Sequence, residues 1–252
     1  MYYSGQRAVC GTIISVKKTF HIAIDGPVAA GKGTTAKLVA QRLGFLYVDT
    51  GAMYRALTLK MIREGVALTD QASVAAKLTE TNPQVSLRVP TDEERDGRLC
   101  TVILDGEDVS WKVRTEEVSK GVSVITQYAE VRDLITPMAR AIAETNNVVM
   151  EGRDITSVVL PNADLKIYME AEAMERARRR HRELLMRGED ISLETVHADL
   201  VERDERDSNR EIAPLKKVPG AWILDTTGMT IDLVAEKIIE RVNELRGAGL
   251  DV

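Results

Sequence analysis

The 252-residue sequence predicts an α/β protein in which a parallel sheet is flanked by helices and a small β-containing module is inserted. Three observations support this fold class. Short apolar or β-branched runs alternate with longer stretches of helical periodicity. A glycine-rich turn with a lysine separates the first such run from the first helical stretch. One segment in the middle of the chain interrupts the alternation with strand-like runs joined by turns.

Five apolar runs are the predicted strands of the parallel sheet. They lie at residues 21–25, 45–49, 148–150, 164–169 and 221–225, and each precedes a turn signal or a helical stretch. The clearest helix is the last one, where apolar side chains recur at helical spacing from Ile231 to Leu245. Thr230 is its predicted N-cap, and Gly247 is predicted to lie just past its end.

Residues 83–115 have the pattern of strands and turns rather than of a strand followed by a helix. The segment contains VSLRV, then the polar stretch TDEERDG, then RLCTVILDGEDV. The Asp-Gly pair in the last run is typical of a hairpin turn. This segment is therefore predicted to be a small β module inserted into the α/β core.

The composition is that of a well-packed globular protein, with 44% hydrophobic and 29% charged residues. A net charge of −5 argues against nucleic-acid binding, which needs a basic face. No apolar run approaches the ~20 residues of a membrane span, so no membrane partner is expected. Cys10 and Cys100 are isolated, which favours a reduced, cytoplasmic setting over a disulfide or a metal site.

Residues 1–19 form a predicted N-terminal extension. Arg7, Lys17 and Lys18 lie within it without any acidic residue, and its apolar part is short and interrupted. These features do not fit a signal peptide. A tail or an extra edge strand is the expectation for this segment.

A phosphate-binding loop is predicted at residues 26–32, where Gly26 and Gly31-Lys32 enclose four residues between a strand and a helix. Glycines let successive N–H groups point at phosphate oxygens, and the helix N-terminus adds partial positive charge. The lysine then contacts the β- and γ-phosphates. The motif indicates ATP or GTP binding without naming the reaction.

The residue after Lys32 is unusual for such a loop, because Gly33 stands where Ser or Thr commonly reaches a magnesium ion. The hydroxyl follows one residue later, at Thr34. This form is similar to that of nucleoside monophosphate kinases, in which the metal is carried mainly by substrate phosphates and water. That arrangement is compatible with the reluctance of Mg²⁺ to lose its hydration shell.

Two strand ends are candidates for the acceptor side, since open α/β sheets bind ligands at the carboxyl ends of their strands. After the second strand, Thr50 could cap the next helix and Arg55 could bind a phosphate, although a plain cap with a solvated arginine is equally consistent. After residues 148–150 come Glu151, Gly152, Arg153 and Asp154, which form either a ligand site or a surface ion pair.

The charged run ERDERDSNRE, residues 202–211, is ordinarily the pattern of a solvated helix face. Arg203, Asp207 and Arg210 nevertheless fall at helical spacing on one face, with Arg206 on a neighbouring face. Apolar residues end at Val201, so this end is predicted to project from the core as a lid over the phosphates. Upstream, one helix is predicted to carry arginines opposite a packing face of Met174, Ala177, His181 and Leu185.

Taken in order, six motifs closely resemble bacterial cytidylate kinases. They are GPVAAGKGT, DTGAMYRA, RLCTVILDGEDVSWKVRTEEVS, VRDL, EGRD and RDERDSNREIAPL. The resemblance covers the chain from Phe20 onward and implies the P-loop nucleoside monophosphate kinase fold. It implies a core of residues 20–80 and 146–252, an inserted NMP-binding domain of residues 81–145, and a short helical lid at about residues 188–214.

The resemblance also implies roles for matching residues. It assigns ATP binding to the loop residues Gly26, Pro27, Val28, Ala29, Ala30, Gly31, Lys32, Gly33 and Thr34. It assigns the acceptor site to Thr50, Arg55, Ser123, Arg132, Arg153, Asp154, Arg203, Asp207 and Arg210. Within that set, Ser123, Arg132 and Asp154 would read the cytosine edge, Arg55, Arg153 and Arg210 would bind the phosphate, and Arg203 and Asp207 would contact the ribose.

The expected reaction is phosphoryl transfer from ATP-Mg to CMP or dCMP, with Lys32, Arg180 and Arg206 stabilising the transferring group. Mg²⁺ is expected to be carried by nucleotide phosphates and water rather than by direct protein ligands, and the protein is expected to be a monomer. The alternatives are a kinase of the same superfamily acting on UMP, AMP or a non-nucleotide, and a nucleotide-dependent switch.

Three positions depart from the family pattern. Thr50 stands where Ser is familiar, which keeps the hydroxyl, and Glu151 stands where Asp is common. Thr156 replaces a frequent Gly, which is expected to alter the turn after the Arg153–Asp154 pair.

Overall fold

The computed structural model describes residues 19–94, 96–186 and 188–248, so most of the predicted N-terminal extension, Cys10 and the expected extra edge strand lie outside it. Its larger sheet has five parallel strands in the order β2-β6-β1-β7-β8. These are β1 (His21–Asp25), β2 (Leu46–Asp49), β6 (Val148–Glu151), β7 (Leu165–Glu170) and β8 (Trp222–Asp225). Every predicted strand is present to within one residue at each end, which confirms the fold class.

Strand β1 lies at the centre of this sheet and is paired on both sides. Ile24 is in register with Glu151 of β6 and with Ile167 of β7. Because all five strands run the same way, their carboxyl ends form one edge of the sheet. That edge carries Asp25, Asp49 and Glu151, the last residues of three neighbouring strands.

A second sheet has three antiparallel strands, β3 (Val85–Arg88), β4 (Thr101–Leu104) and β5 (Glu107–Asp108). Asp105 and Gly106 join β4 to β5 with φ angles of 50° and 86°, the left-handed conformation that a two-residue hairpin turn requires. The strand-and-turn pattern predicted for this segment is confirmed. The limits of the predicted inserted domain stay a prediction, since its buried side chains join the same hydrophobic cluster as the main sheet.

Eight helices are assigned within the described ranges. They are α1 (Lys32–Leu43), α2 (Thr50–Arg63), α3 (Gln71–Thr81), α4 (Glu116–Ile125), α5 (Ala129–Thr145), α6 (Ala173–Met186), α7 (Leu193–Asn209) and α8 (Ile231–Ala248). A single π-type turn follows β6 at Ile155–Val159. None of these helices combines the length and the apolar character that a membrane crossing requires.

Helix ends agree with the sequence in one case and differ in two. The Thr230 hydroxyl accepts a hydrogen bond from the Leu233 amide, as a cap of α8 should. The helix continues to Ala248, so the end predicted before Gly247 is wrong. The cap of α2 is Asp49, which accepts from the Ala52 amide, and not Thr50. Asp49 lies one residue before Thr50 in extended conformation, and its carboxylate already accepts from the Ala52 amide that a cap would satisfy.

The packing face predicted for α6 is correct in part. Met174 and Leu185 are exposed. His181, by contrast, is half-buried with Nε2 2.8 Å from the Ile191 carbonyl oxygen, and Ala177 is buried with Leu184 in a small cluster with α7. Arg176 is buried as well, because its guanidinium bonds to Asp204 of α7 and to the carbonyl of Ala171. An arginine with two such partners can occupy a position that periodicity alone gives to an apolar residue.

Candidate functional site

The phosphate loop is held in place by close contacts at its first residue. A Cβ on Gly26, whose φ is 150°, would lie 2.0 Å from the carbonyl oxygen of Met169, so only glycine fits beside β7. At the other end, Gly31 has a φ of 89° and precedes α1. The loop amides therefore curl around the N-terminus of a helix, where an anion is favoured.

Lys32 is buried behind this loop. Its ammonium group donates to the carbonyl oxygens of Gly26 and Pro27 at 2.8 and 2.7 Å. Burial lowers the pKa of Lys32, and the nearby Arg153 guanidinium lowers it further. A phosphate at the loop would raise the pKa of Lys32 again, because its negative charge would stabilise the buried ammonium group.

The position of Gly33 has a steric explanation. A Cβ there would lie 3.0 Å from a carboxylate oxygen of Glu151 and 3.3 Å from the Tyr47 hydroxyl. The Tyr47 hydroxyl in turn donates to Glu151 at 3.2 Å. Burial, and then the Asp49 charge, raise the pKa of Glu151. The space that a Ser or Thr side chain would need is taken by this pair, and the exposed Thr34 carries the hydroxyl instead.

A groove of about 930 Å³ runs from the phosphate loop along α6 and α7. Seven of the nine predicted ATP-binding residues line it, namely Val28, Ala29, Ala30, Gly31, Lys32, Gly33 and Thr34. Gly26 and Pro27 do not, and their carbonyls face Lys32. Arg180 lines the groove and pairs with Glu183. Arg206 does not, because it pairs with Glu202 on the exposed side of α7. Their roles stay predictions.

A smaller cavity of about 80 Å³ lies between β6, α2, α4 and α7. All nine residues predicted for the acceptor site line it, namely Thr50, Arg55, Ser123, Arg132, Arg153, Asp154, Arg203, Asp207 and Arg210. They come from α2, α4, α5, the segment after β6, α7 and the residue just past α7. Their convergence on one cavity is an arrangement that a surface ion pair or a plain helix cap would not require.

Asp154 is the acidic centre of this cavity. One carboxylate oxygen accepts from Arg132 Nη1 at 2.8 Å, and the two side chains are only 4% and 6% exposed. The other oxygen lies 3.6 Å from Arg210 Nη2. Arg132 also donates to the carbonyl of Thr126 and stacks over the Tyr54 ring at 5.5 Å. Asp154 and Arg132 thus place a hydrogen-bond acceptor next to hydrogen-bond donors in the wall of the cavity.

Arg153 and Asp207 form a second, partly buried pair, with Nε and Oδ2 2.8 Å apart. Burial alone would raise the pKa of Asp207, but the Arg153 and Arg203 charges lower it overall. Burial, and then the charges of Arg153 and Arg55, lower the pKa of Arg203 to about 10. Arg203 Nε and Arg210 Nη2 are buried without a hydrogen-bond partner among residues 19–94, 96–186 and 188–248.

The end of α7 does not project from the core, contrary to the sequence prediction. Asp207 accepts from Arg153 at the sheet edge, and its carbonyl accepts from the Leu215 amide. The helix ends at Asn209, so Arg210 lies just past it in extended conformation and still reaches the cavity. The side that faces solvent carries Arg206 instead.

The two cavities meet at a shared set of residues. Gly51, Arg55, Gly152, Arg153 and Arg203 line both of them. Arg55 donates to the Ser119 hydroxyl at 2.6 Å, and burial lowers its pKa to about 10. Three guanidiniums therefore lie between the groove that contains the phosphate loop and the cavity that contains the Asp154 carboxylate. At this junction two phosphate groups could face each other.

Several polar residues of the site were missed at the sequence level. Asp204 accepts from the Val28 amide and from Arg176, which ties α7 to the phosphate loop. Arg114 lines the groove with its guanidinium 3.7 Å from Asp49. Arg179 bonds to the carbonyl of Thr226 at the other end of the groove. The spacing of residues within a motif would not reveal these contacts, since each joins elements distant in the chain.

Comparison with known proteins is consistent with this geometry. A sequence model of the family described as cytidylate kinase matches residues 22–244. The cytidylate kinase of Geobacillus sp. (strain WCH70) is 44% identical over 92% of this chain and 100% of its own. Those of Geobacillus thermodenitrificans (strain NG80-2) and Bacillus subtilis (strain 168) are 46% and 42% identical, over 90% and 91% of this chain and 97% and 99% of theirs.

Proposed function

The chain belongs to the cytidylate kinase family, and we propose that it transfers the terminal phosphoryl group of ATP to CMP or dCMP. The products are ADP and CDP or dCDP. The bond between the γ-phosphorus and the β,γ-bridging oxygen breaks, and a bond from that phosphorus to an oxygen of the acceptor phosphate forms. The observation that carries the proposal is the set of three guanidiniums, on Arg55, Arg153 and Arg203, shared by the two cavities.

ATP binds in the larger groove with its phosphates on the loop. The amides of residues 28–34 and the N-terminus of α1 hold the β- and γ-phosphate oxygens. Lys32 exchanges its carbonyl partners, Gly26 and Pro27, for phosphate oxygens. Its ammonium group is well suited to this exchange, because it is buried and donates to two uncharged backbone carbonyl oxygens.

CMP binds in the smaller cavity with its base toward Asp154. The Asp154 carboxylate accepts from the exocyclic amine of cytosine, while Arg132 donates to ring acceptors, with Ser123 on the same side. Uracil has an oxygen where cytosine has the amine, so it would face the carboxylate with a lone pair. The Asp154–Arg132 pair thus favours cytosine by repulsion as well as by attraction.

The phosphate and the ribose of the acceptor bind to the arginines and to Asp207. Arg55, Arg153 and Arg210 hold the phosphate, and the unpartnered nitrogen of Arg210 gives that phosphate a donor ready in place. Arg203 and Asp207 contact the ribose, with Thr50 nearby at the cavity wall. The buried, incompletely bonded guanidiniums are satisfied only when an anion enters.

Transfer itself requires positioning and charge rather than a general base. The acceptor phosphate is already anionic near neutral pH, so no proton must be removed before attack. Lys32 and Arg180 neutralise charge on the transferring group, and Arg206 joins them only if the lid residues 188–214 rearrange on binding. Excluding water from the junction limits hydrolysis of ATP.

Mg²⁺ fits this site as an ion carried by nucleotide phosphates. Among the described residues, no three His, Cys, Asp or Glu side chains gather to bind a metal ion. Glu151, Asp49 and Thr34 are among the oxygen donors that line the groove, and oxygen donors suit Mg²⁺. They would hold the ion through its water shell, and the ion would supply charge neutralisation between the β- and γ-phosphates.

The other properties proposed for the protein are its partners and setting. Small nucleotides are its substrates, and the acidic balance of −5 supports the absence of a nucleic-acid partner. We propose a monomer in the cytoplasm, which light scattering after gel filtration and cell fractionation would test.

A panel of acceptors with ATP-Mg tests the proposed function. CMP, dCMP, UMP, AMP and shikimate are each incubated with the enzyme, and ADP release and the phosphorylated product are measured. Turnover with CMP or dCMP at least tenfold above the other acceptors supports the proposal. Equal use of UMP or AMP would indicate a different kinase specificity, and slow ATP hydrolysis without any acceptor product would indicate a nucleotide switch.

A further inference from the structure

Asp25 is a fully buried carboxylate outside both cavities. It ends β1, directly before the first glycine of the phosphate loop, and is 0% exposed. One oxygen accepts from the Ile155 amide at 2.8 Å. The other accepts from the Thr156 amide at 2.7 Å and from the Thr156 hydroxyl at 2.6 Å. Three donors thus satisfy a charge that would otherwise be costly to bury.

These donors belong to the turn that follows Asp154. Residues Ile155–Val159 form a single π-type turn, in which the Leu160 amide donates to the Ile155 carbonyl. The first amides of such a turn have no partner within it, so Asp25 takes the part of a capping residue from another strand. The same turn begins immediately after Arg153 and Asp154, both of which line the acceptor cavity.

We propose that Thr156 is a positioning residue for the acceptor nucleotide, which it orients through Asp25. The Thr156 hydroxyl holds residues 155–156 on the Asp25 carboxylate and thereby sets the position of Asp154 and Arg153. The inference rests on the proposed function, since it assigns a consequence to the same cavity.

The effect of the hydroxyl should fall on the acceptor side rather than on ATP. Strand β1 is paired on both sides, and the neighbouring Gly26 is fixed against Met169, so Asp25 is the immobile partner. The turn is the partner that can move when a hydrogen bond is lost. Burial raises the pKa of Asp25, and the hydrogen bonds from Thr156 oppose that rise. The hydroxyl therefore also favours the charged carboxylate, which accepts from the Ile155 and Thr156 amides.

Two pairs of variants isolate the hydroxyl. The first pair is wild type and Thr156→Val, which differ by a methyl group in place of the hydroxyl. The second pair is Thr156→Ser and Thr156→Ala, which differ only by the hydroxyl. We expect Thr156→Val to raise KM for CMP about tenfold relative to wild type, because a hydrogen bond to a charged group is lost. Thr156→Ala should raise it by about the same factor relative to Thr156→Ser. KM for ATP should stay within twofold, and the CMP-to-UMP efficiency ratio should fall.

A matched control is Thr101→Val, because Thr101, in β4 of the small sheet, is 0% exposed and its hydroxyl also donates to a carboxylate, that of Glu94. This variant should leave both KM values unchanged. The inference is overturned if KM for CMP stays at the reference value in both comparisons, or if KM for ATP rises equally. Failure of the wild type to phosphorylate CMP would overturn the proposed function and this inference together, whereas unchanged KM values in an active enzyme overturn the inference alone.

Discussion

Replacing Asp154 by alanine is expected to weaken both the folded protein and its choice of base. In the free protein the Asp154 and Arg132 side chains are 4% and 6% exposed and 2.8 Å apart. The variant leaves the Arg132 guanidinium, and Arg210 beside it, buried without their carboxylate. Deleting one partner of such a pair typically costs about 3–5 kcal/mol.

The lower end of that range is the better expectation here. Arg132 keeps its hydrogen bond to the Thr126 carbonyl and its contact with the Tyr54 ring, so part of its charge stays solvated by the protein. We therefore expect a loss of about 3 kcal/mol. For a chain of this size that lowers the melting temperature by about 6–12 °C. Denaturant unfolding without nucleotide measures the free energy of unfolding directly.

A surface ion pair provides the control. Arg42 and Asp232 also form a close ion pair, but their side chains are 36% and 70% exposed. Asp232→Ala should therefore cost less than about 1 kcal/mol. If the free energy of unfolding of Asp154→Ala lies within about 1 kcal/mol of the wild-type value, the Asp154 carboxylate does not neutralise two buried guanidiniums.

The same variant tests base recognition at moderate temperature, where it remains folded. Losing a charge-assisted hydrogen bond costs about 1.5–3 kcal/mol, which corresponds to a fall of roughly 10–150-fold in the CMP-to-UMP ratio of kcat/KM. The ratio is measured with saturating ATP, and KM for ATP should be nearly unchanged. An unchanged ratio would rule out contact between Asp154 and the base.

Three further predictions concern the loop and the buried thiol. Lys32→Met should lower kcat by roughly 10²–10³-fold, as loss of one charge-stabilising donor does, and a rate within twofold of wild type would contradict its role. Gly26→Ala should unfold the protein or cost more than about 4 kcal/mol, because its Cβ would lie 2.0 Å from a backbone carbonyl. Gly65→Ala, at a φ of 68° with open space around it, should cost only about 1 kcal/mol in the same unfolding assay. Burial raises the pKa of Cys100 to about 12, so at pH 8 iodoacetamide should label its peptide only after unfolding, as mass spectrometry would detect.

Strand positions could be predicted well because the central parallel strands must be apolar on both faces. The runs that became β1, β2, β6, β7 and β8 have no competing interpretation as amphipathic helices. Strand ends and helical spacing indicate only part of the acceptor site, since they point to residues after β2 and β6 and to one face of the charged run. The remaining residues, Ser123 and Arg132, come from the resemblance to the family, and the structure brings them to the same cavity.

Contacts between distant elements could not be predicted in the same way. The sequence gives no sign that Asp204 binds the Val28 amide or that Arg176 is buried to meet it. Helical periodicity treats every arginine as a surface residue, so it missed the burial of Arg176 on α6. The cap of α2 was misassigned for a related reason, since Asp49 and Thr50 are both good capping residues and only the backbone conformation separates them.

Three guanidiniums, those of Arg55, Arg153 and Arg203, lie close together where the two cavities meet. Burial, and then repulsion by the other two, lowers the pKa of Arg203, and Arg203 Nε is buried without a hydrogen-bond partner among the described residues. Any anion of suitable shape, including inorganic phosphate or the diphosphate product, relieves that repulsion. The thermal resistance of a purified sample should consequently follow the anion content of its buffer, and dialysis against chloride alone should give its most fragile form.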